Sequence, residues 1–174
     1  LASVLAAMAV HHLRGAANGP LIFISQADYP GPESLIFTLG LTASGLWQGW
    51  TVWSMTKNEP SPWSLERLVG LMASLCVVVM ANRSMYSHLN THILAAMGIF
   101  LFGWAWLWLV QRRSRRIGAS QGATQRQMAL WCVGIGFVMQ FIGAAVALTI
   151  DSSITLPTEG AGHPWWSVAA LAEY

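Results

Sequence analysis

Gln111-Arg112-Arg113-Ser114-Arg115-Arg116 is a dense basic run set between two long apolar stretches, Ile93 to Val110 and Met128 to Ile150. Arginines that flank a membrane span are retained on the cytoplasmic side, because carrying them across the bilayer during insertion is unfavourable. The run therefore fixes a topology. Counting spans outward from it places Lys57, Arg67, Arg112, Arg113, Arg115, Arg116 and Arg126 inside, and only Arg14 and Arg83 outside. The same count places all five histidines, His11, His12, His88, His92 and His163, at the outer face, together with Asp28, Glu33, Asp151 and Glu159.

The composition supports this reading. Of 174 residues, 55% are hydrophobic and 9% charged, whereas soluble domains carry roughly 25% charged residues. The expected fold is all-α: a single transmembrane helical domain with six spans, at about 1–13, 34–55, 64–82, 93–110, 128–150 and 165–174. The first and last are too short to cross about 30 Å of hydrocarbon and are expected to be truncated, with both termini cytoplasmic. Arg14 to Glu33 contains Gly15, Gly19, Pro20, Pro30, Gly31 and Pro32 and reads as an outer loop. Ser64-Leu65-Glu66 has the form of a helix start, with acid in the first turn.

The basic residues speak of anionic lipid rather than nucleic acid, since no basic stretch is interleaved with stacking aromatics. Cys76 and Cys132 lie in separate apolar segments and provide neither a disulfide framework nor a CxxC metal site. Most of the tryptophans, Trp47, Trp50, Trp53, Trp63, Trp104, Trp106, Trp108 and Trp131, fall in the inner halves of the spans, where indoles anchor at the headgroup boundary. Gly40, Ser44, Gly134, Gly136, Gly143 and Ala144 offer small faces for close helix approach.

The outer histidines carry the functional clue. His88 and His92 are four residues apart, which on a helix sets both imidazoles on one face, as a metal pair requires. With His11, His12 and His163, and with Asp28 or Glu33 as ligand or general base, they could bind a divalent metal. His12 facing His92 could instead ligate a haem. Against both stands the ordinary preference of histidine for the membrane interface, and no HExxH-type spacing is present.

Pro20-Leu21-Ile22-Phe23-Ile24-Ser25, followed by Pro30-Gly31-Pro32-Glu33-Ser34-Leu35-Ile36-Phe37, resembles the loop after the first span in the DRAM/Frag/Sfk superfamily of six-span membrane proteins. That loop typically reads Pro, two or three apolar residues, Ile-Ser-Asp-Thr-Gly, then Pro-Pro-Glu and an apolar run with Phe. Here Gln26 stands in place of the Asp, and Asp28 follows two residues later. Val79-Met80-Ala81-Asn82 with the downstream His88 and His92, and Ser167 to Tyr174, where the family often has Glu-Trp, are also similar. The resemblance implies a polytopic protein of Golgi, lysosome or plasma membrane. Relatives are linked to remodelling the lipid of glycosylphosphatidylinositol anchors, to autophagy, and to phosphoinositide and lipid-asymmetry control.

Three functions follow as expectations. The first is a lipid-remodelling or lipid-regulatory factor, with membrane lipids as partners and a working surface around Asp28, Glu33, His88 and His92. The second is a metal- or haem-dependent membrane enzyme. The third is an accessory subunit packed against partner membrane subunits.

Overall fold

The computed structural model of the chain describes residues 2–15, 28–59, 61 and 63–150. The loop stretch 16–27, the loop carrying Asp151, Glu159 and His163, and the expected span 165–174 lie outside the described residues.

Among the described residues the protein is all-α, with five helices and no strand. They are α1 (Ala2–Leu13), α2 (Pro32–Thr56), α3 (Leu65–Ala81), α4 (Leu89–Arg116) and α5 (Ala123–Ile150). Each helix packs chiefly on the next in sequence, which makes an up-and-down meander. At one end of the α2–α3 pair the Thr38 hydroxyl donates to the Ala81 carbonyl at 3.0 Å, and at the other Arg67 donates to the Thr56 carbonyl. The α3–α4 pair is tied in the same way, by His92 to the Arg83 carbonyl at one end and Arg113 to Glu66 at the other.

Local chemistry accounts for the boundaries. Pro32 occupies the first turn of α2, with Glu33 beside it, the positions where a missing N–H and a negative charge are favoured. Ser64 caps α3 by accepting the Arg67 N–H at 3.3 Å, as the sequence predicts. The basic run, expected to be an inner loop beginning after Val110, is instead the last turn and a half of α4. Arginine is a good helix former, and cations at a helix C-terminus complement its dipole, so the run extends the helix. Gly118, at φ 68°, stops it: the Ala119 N–H closes on the Ser114 carbonyl at 2.9 Å and the Gly118 N–H on Arg115 at 3.3 Å.

Helix α4 is long and apolar enough to cross a membrane, and only 17% of its apolar window is buried within the protein. It alone meets that standard among the described residues, so six independently recognisable spans are not what the helices provide. Helix α3 has 17 residues, short of the ~20 that a perpendicular crossing needs, and α2 is diluted by Gly, Ser, Thr and Gln along its length.

Small residues seat the helices, as expected for Gly40. A Cβ there would collide with Ser3 of α1. At Gly45 it would lie 2.8 Å from Val78 Cγ2 and 3.2 Å from the Ser74 carbonyl, where the Ser74 hydroxyl already donates to the Gly45 carbonyl at 2.6 Å. Val4, Ala7, Met8 and Phe37 form a buried apolar cluster between α1 and α2, flanked by Ile36, Leu41 and Met80. Beyond it, at the end away from the basic run, lies a buried polar group.

Candidate functional site

The polar group draws on α1, the approach to α2, the α3–α4 turn and the first turn of α4. His11, Asp28, Glu33 and His92 are 2%, 2%, 0% and 3% exposed. Four ionisable side chains this deep need partners, because burial penalises the charged form.

Glu33 has them. Both carboxylate oxygens accept from one terminal nitrogen of Arg14, at 2.7 and 2.6 Å, and His11 Nδ1 lies 3.6 Å from Oε1. The guanidinium rests over Gly31, where a Cβ would collide with it. Burial pushes the Glu33 carboxyl up, but its own backbone N–H and the Arg14 guanidinium outweigh this and hold it below the ordinary carboxylate range. Glu33 and Arg14 therefore form a fixed ion pair.

Asp28 is in the opposite condition. One oxygen accepts from the Ser34 hydroxyl at 2.7 Å, while Oδ2 is buried with no partner of hydrogen-bonding geometry. Burial raises its pKa, against the smaller pull of the Ser34 and Ser84 hydroxyls and the electrostatic influence of His92. Its environment favours retention of a proton.

In His92, Nδ1 lies 2.7 Å from the Arg83 carbonyl. A carbonyl only accepts, so Nδ1 carries the hydrogen, and in the neutral ring Nε2 presents its lone pair. That nitrogen is buried and unpartnered. Two tyrosines close the group: Tyr29 lies 5.5 Å from the His11 ring and meets Tyr86 edge-on at 5.3 Å. Burial, then Tyr29, Asp28 and Glu33, pushes the Tyr86 phenol up to about 12, so at neutral pH it is protonated and can donate a hydrogen bond. The arrangement offers one base, one carboxyl inclined to hold a proton, and a phenol that can stabilise negative charge.

Of the residues singled out by sequence, Asp28, Glu33, His11 and His92 are brought into this group. His88 is not. It is the exposed N-cap of α4, with φ −138° and ψ 48°, and its Nδ1 meets the Ser87 hydroxyl at 2.9 Å. The argument that His88 and His92 share a helix face fails because the helix begins one residue after His88. His12 is exposed on α1, whereas His92 is buried at the start of α4. Among the described residues no three His, Cys, Asp or Glu side chains are grouped as a metal ion requires, and His163 lies outside them. Sequence reasoning missed Tyr29, Tyr86 and Ser34, and it assigned Arg14 only to a side of the membrane. The adjacency of Tyr29 to Asp28 and of Ser34 to Glu33 was the available signal.

No protein-family model matches the chain, and no curated protein or solved structure matches it either.

Proposed function

We propose that the chain is a multi-pass membrane protein that remodels or regulates lipid at the extracytoplasmic leaflet, as its resemblance to the DRAM/Frag/Sfk superfamily implies. The observation that carries this reading is the pair of unengaged buried atoms, His92 Nε2 and Asp28 Oδ2, held beside a fixed Arg14–Glu33 ion pair. In acyl transfer from a lipid ester, His92 Nε2 takes the proton of an attacking hydroxyl or water as the new bond to the carbonyl carbon forms. The ester C–O bond breaks, and protonated Asp28 gives its proton to the departing oxygen.

Exposed apolar side chains support placement in a bilayer. Leu35, Leu39, Leu46, Trp47, Trp50 and Trp53 on α2 all face outward, an apolar surface of the sort that water-soluble monomers rarely present. The basic end with Arg112, Arg115 and Arg116 then lies in the cytoplasm and the histidine site opposite it, consistent with a Golgi, lysosomal or plasma-membrane protein.

The test is acyl exchange by the full chain in liposomes, with a diacyl phospholipid donor and a lysophospholipid acceptor, read by mass spectrometry. His92→Ala and Asp28→Asn are each expected to reduce exchange by about 100-fold, at the lower end of what a general acid or base contributes. Full exchange by both variants rules the mechanism out. The exposed Trp47, Trp50 and Trp53 face equally suits a partner subunit, and a stoichiometric co-purifying membrane protein favours that reading. Elemental analysis and an absorption spectrum test the metal and haem alternatives.

A further inference from the structure

At the basic end, α4, α5 and their connection surround an open cup of about 360 Å³ lined by Gln111, Arg115, Arg126, Gln127, Met128 and Trp131. Arg126 is held by neutral acceptors on three sides: Gln111 Oε1 at 2.9 Å, the Gln121 carbonyl at 2.9 Å and the Ala119 carbonyl at 3.2 Å. Arg115 donates to Gln127 Oε1 at 2.8 Å. Among the described residues neither guanidinium meets a carboxylate. Arg113 alone of the basic run does so, pairing with Glu59 at 3.0 Å and Glu66 at 3.2 Å. The cup is thus positively charged and preorganised, and its counter-ion is not supplied by these side chains.

One wall of the cup continues as an apolar stripe. Met128 and Trp131 line the cup and are exposed, and Ile135, Val138 and Ile142 follow them, also exposed. Spacings of three, four, three and four residues set all five on one line along α5. From Met128 to Ile142 that line runs about 21 Å, enough to span the ~15 Å of hydrocarbon in one leaflet.

We propose that cup and stripe together hold one anionic phospholipid, its headgroup phosphate between Arg115 and Arg126 and an acyl chain along α5. Charge complementarity selects an anion, since a guanidinium presents a planar fork of donors to phosphate oxygens. The stripe selects a lipid over a soluble phosphate, which would use the cup alone. The inference rests on the membrane placement proposed above, but not on the chemistry assigned to His92.

The test is native mass spectrometry of the full chain, released from micelles and titrated with phosphatidylserine or phosphatidylcholine. Phosphatidylserine is expected to remain bound and phosphatidylcholine to dissociate. Arg115→Gln with Arg126→Gln should weaken phosphatidylserine about 30-fold, from about fivefold per arginine near a charged surface. Arg112→Gln with Arg116→Gln removes the same charge outside the cup and should weaken it less than about threefold. Equal weakening by the two doubles overturns the site in favour of a diffuse basic surface. Displacement by excess inorganic phosphate overturns the lipid assignment. Should Arg115→Gln with Arg126→Gln misfold, as judged by melting, Arg115→Lys with Arg126→Lys keeps the charge but loses the fork, and unchanged affinity there also overturns the site. Extraction of the chain from vesicles by alkaline carbonate would remove the membrane placement itself, a result separate from any loss of lipid selectivity.

Discussion

Replacing Arg14 with Ala takes from Glu33, fully buried in the parent, its guanidinium partner and leaves His11 Nδ1 at 3.6 Å as its nearest ionisable neighbour. Stripping one partner from a buried ion pair costs about 3–5 kcal/mol. Here the Arg14 side chain is 44% exposed, and solvent screening reduces the figure to about 2 kcal/mol. The effect should depend on pH in a definite sense. In the parent the Glu33 pKa is depressed, so its contribution is present at neutral pH, above the unfolded-state value, and is lost as pH falls through the lower folded-state value. In Arg14→Ala burial acts without the guanidinium and the Glu33 pKa rises, so the variant is destabilised most at neutral pH. As acid protonates Glu33 in both proteins, the difference between them shrinks. Denaturant unfolding in mixed micelles at pH 7 and near pH 4, with Glu33→Gln and the double variant completing a cycle, measures this directly. A stability difference between parent and Arg14→Ala that does not change over that range would refute the reasoning, because the lost interaction would then not involve an ionised Glu33.

Asp28→Asn should be stabilising at neutral pH while reducing exchange about 100-fold, since it removes a carboxyl whose pKa burial has raised. That raised pKa gives a contribution that is full below the unfolded value and lost as pH rises through the folded one, so the gain should vanish in acid; unfolding curves at two pH values check it. Gly45→Ala brings a Cβ to 2.8 Å from Val78 and should destabilise by about 1–3 kcal/mol, whereas Gly103→Ala meets nothing within 4 Å and should stabilise by about 0.5–1 kcal/mol; paired thermal melts distinguish them. Arg113→Gln frees Glu59 and the buried Glu66, for a loss of about 1–2 kcal/mol after allowance for the half-buried guanidinium. Arg113→Lys should recover only part of this in the same assay, because two different nitrogens serve the two acids.

Much of the helical order was legible because it depends on apolar length and punctuation, which are local. Ser64 marks the start of α3 by backbone chemistry, and the apolar stretches carry few charges, whereas Pro32, assigned to the outer loop, is the first residue of α2. The end of α4 was misplaced because a polar run was equated with a loop, although arginines extend a helix as readily as alanine-like residues do. Which helix ends coincide was also legible, because an up-and-down meander brings His11, Asp28, Glu33 and His92 to the end of the bundle opposite Arg113. What could not be read was the separation of neighbours. His11 is buried and His12 exposed, and His92 is buried and His88 exposed, and that choice is made by the rotation of α1 against α2 and by the single residue at which α4 begins.

The meander has a consequence for how the molecule comes to exist. Outside the histidine site, where Tyr29 meets Tyr86, the tertiary links described join one helix, or the segment leading into it, to its immediate predecessor: Arg14 with Glu33, Thr38 with Ala81, Arg113 with Glu66, Arg126 with Gln111. Connections of six to eight residues between α2 and α3, α3 and α4, and α4 and α5 keep closure entropy small there, which favours rapid assembly. A chain emerging from the ribosome can therefore lock each hairpin as its second arm arrives, without waiting for distant segments, and the histidine site is complete once the first turn of α4 has been laid down.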